Sequence, residues 1–300
     1  MLGADQEPEP AAAVLVLRAR IKQAQHEFVG AASDLRAALR QEPGNLTALL
    51  VLASVDEVVG NFAEAKQACT EFTRGHPGLA ATACTASVAG VTGDAAWSVA
   101  ALAEAVEKEP TRDRSLKVWA LTILAEIAAR LEDARAESYF EQARGLDDAN
   151  PYLSTVFADY LLDRGRAERV LSLLRGFERI DALYFRLALA AQAIGDSGFS
   201  RYRDDVAARL AAAQRQGDKL HLRDASRFML EIEHDGPRAL DLARQNWAGH
   251  KTPYDARALL AAAVACHDKT AAKPVLEWVT ATRLEDRAIE RLIPQLTAPN

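Results

Sequence analysis

Apolar residues along this chain fall at helical rather than alternating spacings. Within Leu46–Val59, Leu49, Leu52 and Ala53 step by three and four, and Asp56 continues the series as its one polar member. Gly60-Asn61 then interrupts the pattern. Glycine is suited to end one helix and asparagine to open the next. The following stretch, Phe62–Thr73, sets small Ala65 and larger Cys69 and Phe72 on one face. Ala31, Leu35, Ala38 and Pro43 return as Ala65, Cys69, Phe72 and Pro77, and again as Ser98, Leu102, Ala105 and Pro110. The spacing is about 34 residues, the length of a helix–turn–helix repeat.

The third unit, near Leu79–Arg112, is looser because Thr82, Thr85 and Ala86 stand where bulky residues are expected. A fourth unit from Lys117 carries Ile123, Leu124, Ile127, Ala136, Phe140 and Ala143. A fifth from Pro151 carries Phe157, Ala158, Leu161, Gly165, Val170 and Leu174. Beyond Gly195-Asp196-Ser197-Gly198 a long Arg- and Ala-rich helix blurs the period, and helix pairs re-emerge at His221–Trp247 and Pro253–Val279. Pro237 in Asp235-Gly236-Pro237 suits a first helical turn. Thr282 and Glu285 have the spacing of a capping box ahead of Leu284, Ala288 and Leu292, which predicts a terminal capping helix. The expected organisation is an acidic, Pro-rich disordered tail over residues 1–11 and one helical array over 12–300. Within the array, 12–178 is regular, 179–281 degenerate and 282–295 the cap.

These positions resemble the tetratricopeptide repeat family. The match is carried by Leu15, Ala19, Phe28, Ala31, Leu35, Ala38 and Pro43 in the first unit, and by Leu49, Leu52, Ala53, Gly60, Phe62, Ala65 and Pro77 in the second. The resemblance implies an all-α, right-handed α-solenoid of about seven to eight helix pairs with a C-terminal capping helix. It also implies that the first helix of each pair lines a concave wall that binds protein partners. Matched to that pattern, the wall comprises Val16, Leu17, Arg20, Leu50, Val51, Ser54, Ala83, Cys84, Ser87, Leu121, Thr122 and Ala125, followed by the more polar Tyr152, Thr155, Asp159, Phe185, Arg186, Ser226 and Met229. The Lys, Arg and Asn set with which part of the family grips acidic C-termini is missing. A mostly small, apolar wall suits an amphipathic or apolar segment of a partner protein, held as a helix in a groove. The competing reading has those apolar positions covered by a neighbouring turn of a tight superhelix or by the chain's own tail.

Composition narrows the classes. Hydrophobic residues reach 49%, aromatics only 6%, and the formal net charge is −6 with Lys and Arg dispersed. A phosphate-neutralising surface, and with it nucleic acid, is therefore not expected. No apolar run is long enough to span a membrane. The N-terminus lacks the basic and apolar regions of a signal peptide, so a cytoplasmic location is the default, with the periplasm or export the alternative if a signal was removed.

Candidate chemistry is sparse. The six histidines form no metal-ligand spacing, and His234-Asp235 and His267-Asp268 fall at helix ends, where capping explains them. No metal and no cofactor are expected. Cys69 and Cys266 read as small buried hydrophobes; Cys84 lies on the expected wall, where a reactive thiol would need a basic neighbour that is missing, so it reads as a packing residue, with a Cys69–Cys84 bridge conceivable in an exported protein. Asp147-Asp148, Glu231–Glu233 and Glu285-Asp286 lack the apolar pocket that an acid–base pair requires, and no phosphate-binding glycine loop is present. The leading expectation is thus a non-catalytic scaffold or adaptor that binds a peptide or helix of a partner, with homodimerisation open. The alternative is an accessory subunit whose degenerate C-terminal half holds a small molecule or an unfamiliar activity, with Arg186, His221, Arg223 and Glu231 converging in a deep pocket.

Overall fold

In a computed structural model that describes residues 10–109, 111–216 and 221–296, the chain is an all-α solenoid. Eight helix pairs follow in order: α1 (Ala12–Ala24) and α2 (Phe28–Gln41), α3 (Leu46–Val59) and α4 (Phe62–Gly75), α5 (Leu79–Ala89) and α6 (Ala95–Lys108), α7 (Arg114–Arg130) and α8 (Ala136–Leu146). Then come α9 (Pro151–Asp163) and α10 (Ala167–Leu173), α11 (Asp181–Ile194) and α12 (Phe199–Arg215), α13 (Leu222–Glu231) and α14 (Gly236–Gly249), α15 (Pro253–Ala265) and α16 (Lys269–Thr282). The short α17 (Arg287–Leu292) and a 3₁₀ turn over Ile293–Leu296 close the array. Pro110 and the residues 1–9 of the expected tail lie outside the described residues.

Stacking follows from side-chain size. Each pair meets through small residues such as Ala19, Ala31, Ala38, Ala48 and Ala65, all fully buried, so backbones approach closely while Leu15, Leu35 and Phe72 fill the gaps between pairs. Odd-numbered helices also pack on one another, α5 on α7, α9 on α11 and α13 on α15, and so form one continuous wall. Asp56, the polar intruder in the first-helix pattern, is completely buried. It accepts hydrogen bonds from Arg36 at 2.9 Å and Asn61 at 3.2 Å, tying α2, α3 and the following turn together.

Each pair bends at one residue with positive φ: His26, Gly60, Gly93, Glu132, Gly165, Gly195, His234 and His267. Glycine adopts this conformation without steric cost, whereas the three histidines and Glu132 enter the left-handed region at some backbone cost. At Gly60 a side chain would in addition lie 3.0 Å from Lys251. Asp235 and Asp268, next to two of those histidines, cap α14 and α16 by accepting from the amides of Arg238 and Ala271.

Two local expectations are corrected. Thr282 does not open the terminal helix: it ends α16 and donates its hydroxyl proton to the Trp278 carbonyl, while Asp286 caps α17 through the amides of Ala288 and Ile289. Cys84 is not a free packing residue but is disulfide-bonded to Cys69, with a Cα–Cα distance of 5.6 Å that joins α4 to α5.

Candidate functional site

The C-terminal helices return to the turn edge of the N-terminal pairs. The amide of Lys251 donates to the carbonyl of Val58 at 2.7 Å, and Trp278 packs against Phe62 with ring centroids 6.1 Å apart. The carboxylate of Glu285 accepts from the amide of Ala95 at 2.9 Å, and Val91 is buried in the core of the C-terminal pairs. Arg291 pairs with Glu132 at 2.7 Å, and Nε2 of His250 lies 3.0 Å from Nδ1 of His26. Turn after turn of the first four pairs thus touches the α14–α17 block. These contacts run along the turns that join the two helices of each pair.

The expected groove residues are placed by the packing of neighbouring pairs. Val16, Cys84, Leu121, Thr122 and Phe185 are buried and unavailable to a partner, as are the neighbouring Ala83 and Ala125. Thr122 donates its hydroxyl proton to the Val118 carbonyl of its own helix. Leu50, Val51, Ser87, Thr155 and Met229 are half-buried, whereas Ser54 is exposed and accepts a hydrogen bond from Gln23 at 3.3 Å. Leu17 and Arg20 are exposed, but on the free outer side of α1. The expected apolar wall is therefore largely consumed in packing, because stacked pairs bury the same small residues that make the repeat recognisable.

What the inner wall presents instead is charge. Arg186 on α11, completely buried, donates to both oxygens of Asp159 on α9 at 3.1 and 2.8 Å, and to Asp224 on α13 at 2.7 Å. Arg227, one turn along α13 from Arg223, bridges Asp159 at 2.8 Å to Glu231 at 2.7 Å. Burial alone would raise the pKa of Asp159, but the guanidinium groups of Arg186 and Arg227 hold its carboxyl far below the usual range. The same desolvation opposes the charge of Arg186, and Asp159 and Asp224 outweigh it.

A second cluster crosses the interior. Glu126 on α7 accepts from the hydroxyl of Tyr152 at 2.9 Å and interacts electrostatically with Tyr254 on α15, eight helices further along the chain. Glu57 accepts from Ser87 at 2.9 and 3.0 Å, and its desolvation, partly offset by that bond, lifts its pKa to about 7. Arg130 donates to the Gly90 carbonyl at 2.8 Å, and its Nε is buried without a hydrogen-bond partner among the described residues, as is Oδ1 of Asp224, which faces Arg223 at 4.0 Å.

Between α9, α13, α15 and α17 the wall opens into a cleft of about 420 Å³. Asp163, Arg223, Arg227, Glu231, Tyr254 and Arg257 supply its polar lining, while Leu230, Ala258 and Leu292 supply apolar patches. Arg257 is anchored by Asp286 at 2.9 Å and reaches Asp163 at 3.3 Å. Burial raises the pKa of Asp163, opposed by Arg257 and Arg227. Arg223 and Glu231, expected to converge in the C-terminal half, do so here. Arg186 lies behind the cleft wall in the ion network, and His221 lines a separate hollow with Asp181 and Arg209. Sequence reasoning missed Glu57, Glu126, Arg130, Arg227, Tyr254 and Arg257. The available signal was the i, i+4 spacing of Glu126 with Arg130, Asp159 with Asp163, and Arg223 with Arg227, a polar stripe within otherwise apolar first helices.

No family model matches the sequence, and no curated protein matches it. Among solved structures, the chain is similar to a tetratricopeptide repeat protein from Parabacteroides merdae at 15% identity, with 91% of this chain and 98% of that one covered and a TM-score of 0.47. It is similar to the APC/C hetero-tetramer Cut9–Hcn1 at 11% identity, covering 96% of this chain and 76% of that one, with a TM-score of 0.38. The TPR domain of P58(IPK) matches at 11% identity over 95% and 97% of the two chains, with a TM-score of 0.32.

Proposed function

We propose that the chain is a non-catalytic binding protein that takes an extended, charge-bearing peptide segment of a partner into the cleft between α9, α13, α15 and α17. The observation that carries this reading is the cleft's lining, in which arginines and carboxylates face the same space as apolar patches from Leu230, Ala258 and Leu292. Such a surface can meet both charges of a peptide and seat a small apolar side chain between them. An amphipathic helix fits poorly. A helix with its side chains is about 10–12 Å across, a broad cylinder to seat among paired arginines and carboxylates. A peptide in extended form is thinner and turns its own amides and carbonyls to the cleft's polar groups, whereas a helix keeps them paired within itself.

The cleft's charged groups are engaged in ion pairs, Arg227 with Asp159 and Glu231, Arg257 with Asp163 and Asp286, and Arg291 with Glu132, an arrangement suited to exchange partners with an incoming charged group rather than to transfer protons. The Cys69–Cys84 bridge fits a protein that works in an oxidising compartment. No helix among the described residues is long and apolar enough to cross a membrane.

Selection of short displayed peptides on the wild-type chain, with counter-selection on an Arg223→Glu/Leu292→Asp variant, tests the proposal. Enriched peptides should carry both charges and bind the variant at least about tenfold more weakly, a loss of about 1.4 kcal/mol. Failure to enrich any peptide, together with thermal stabilisation by a small charged metabolite, would move the assignment to small-molecule binding, for which the volume is also in range.

A further inference from the structure

The two ends of the solenoid are finished differently. At the C-terminal end, α17 and the 3₁₀ turn lie over α15, and Ile289 and Leu296 are buried beneath them. At the N-terminal end, α1 turns Ala12, Leu15, Val16 and Ala19 into the core. On its opposite side Val14, Leu17 and Ile21 remain 54, 59 and 53% exposed. These three side chains share one helical face with exposed Ala13 and Ala24, so the stripe runs the length of the helix. A repeat array buries an apolar face of this kind by stacking another helix on it.

The charges beside the stripe restrict which helix fits. Helix α1 carries Arg18, Arg20 and Lys22 and no acidic residue. Arg18 and Lys22 share the single carboxylate of Asp34, so the pair keeps excess positive charge. Helical geometry sets Arg18 on one border of the stripe and Arg20 on the other. A second copy of the chain packed α1 on α1 about a two-fold axis would bring these like-charged borders together. We propose that the α1 face is a docking surface for an amphipathic helix of a partner protein whose apolar stripe is bordered by Asp or Glu. It is separate from the inner cleft, and it is where the helix-type recognition that the inner wall does not accommodate takes place.

Two labelled helical peptides test this, each with a Leu stripe at i, i+3, i+4 and i+7, one bordered by Glu and the other by Lys. Binding to the full chain is measured by fluorescence anisotropy at low and high salt, beside a Leu17→Ser/Ile21→Ser variant and an Arg20→Glu variant. All three substituted side chains are exposed, and matching circular dichroism melts confirm that the fold is kept. The expected result is binding of the Glu-bordered peptide at least about tenfold tighter than the Lys-bordered one, weakened by salt, by Arg20→Glu and by the double variant. Equal binding of the two peptides, or unchanged binding by the double variant, would overturn the proposal. So would a wild-type dimer in sedimentation that the double variant abolishes, which would make a second copy the occupant. Binding only to a chain shortened to begin at Pro10 would assign the face to the chain's own first residues.

Discussion

The two helical layers of the solenoid bury different chemistry. Second helices bury alanine and aromatics: Ala136, Phe140 and Ala143 on α8, and Ala239, Ala243 and Trp247 on α14. First helices bury ions as well. Asp56, Glu126, Arg130, Asp159, Arg186, Asp224 and Asp255 all lie on them, whereas Asp34 is the only buried charged side chain on an even-numbered helix among the described residues. Apolar packing needs only shape, so the outer layer tolerates repetition of one motif. A buried ion needs a particular partner, so the inner layer is specific pair by pair.

A matched pair of substitutions tests the contrast. Arg186→Ala leaves Asp159 and Asp224 buried without their main counter-ion and should cost about 3–5 kcal/mol. Phe140→Ala removes a ring stacked 5.0 Å from Phe157 and should cost a similar amount through the cavity it leaves. The losses should part on rescue. Adding Asp159→Asn and Asp224→Asn to Arg186→Met should restore much of the stability, while the same two changes should do nothing for Phe140→Ala. Urea unfolding of the five chains decides it; equal behaviour on rescue would mean that the inner charges contribute as packing volume and not as ions.

A somewhat smaller effect is expected at the junction of the second and third pairs. The Cys69–Cys84 bridge spans 15 residues, and closing a loop of that length removes unfolded-state entropy equivalent to about 3 kcal/mol. Cys69→Ala/Cys84→Ala should lower the melting temperature of the oxidised protein and make it insensitive to reductant. An unchanged melt would show that alanine packing alone holds this junction, as it does in the rest of the outer layer.

The same contrast explains what the sequence disclosed. The outer layer was legible because Ala31, Leu35 and Ala38 repeat at fixed spacing, and each satisfies a packing need with its immediate neighbours. The turn position was legible at Gly60 and Gly165, and at His234 and His267 beside their capping aspartates, but not at His26 and Glu132, where no glycine or cap marks it. Asp56 announced itself as a dissenting polar residue, although its Arg36 partner did not. The ion network was hidden because Arg186 meets Asp159 and Asp224 at separations of 27 and 38 residues, on helices whose relative rotation no local pattern specifies. The cleft was legible only in part: Arg223 and Glu231 were expected to converge, whereas Asp163, Tyr254 and Arg257 reach the same space from distant helices, as where Arg257 meets Asp163 across 94 residues.

Glu57 gives the inner layer a pH signature. Its folded pKa of about 7 lies above the ordinary value of 4.5, so between these pH values the folded chain binds a proton that the unfolded chain has released. Its contribution is fully present below pH 4.5 and is lost as pH rises through 7. Glu57→Gln, which keeps the shape and removes the charge, should leave stability near pH 5 almost unchanged and raise it near pH 8. No second helix should yield a substitution with this profile. Equal melting shifts at both pH values would remove the titration from Glu57.

The smallest effect concerns the seam between the first pair and the α14–α15 loop, where His26 and His250 meet. Burial, and then the neighbouring His250, lower the pKa of His26 to about 4, against an ordinary value of 6.5. The folded chain therefore keeps this imidazole neutral where the unfolded chain would protonate it, and stability falls as pH drops from 6.5 towards 4. Because His26 has φ of 58°, asparagine is the substitution its backbone accepts most readily. His26→Asn should leave stability at pH 7 within about 0.5 kcal/mol and flatten the loss between pH 6.5 and 4.5. The direction is opposite to that of Glu57→Gln, since one site refuses a proton and the other retains one. Melting curves of the two single variants and their combination at pH 5 and 8 separate them, and additive shifts are expected because the groups share no partner. If His26→Asn leaves the acid limb unchanged, the return of the C-terminal block is held by the Lys251, Trp278, Glu285, Arg291 and Val91 contacts without His26, and the first pair rests on that seam without being coupled to it.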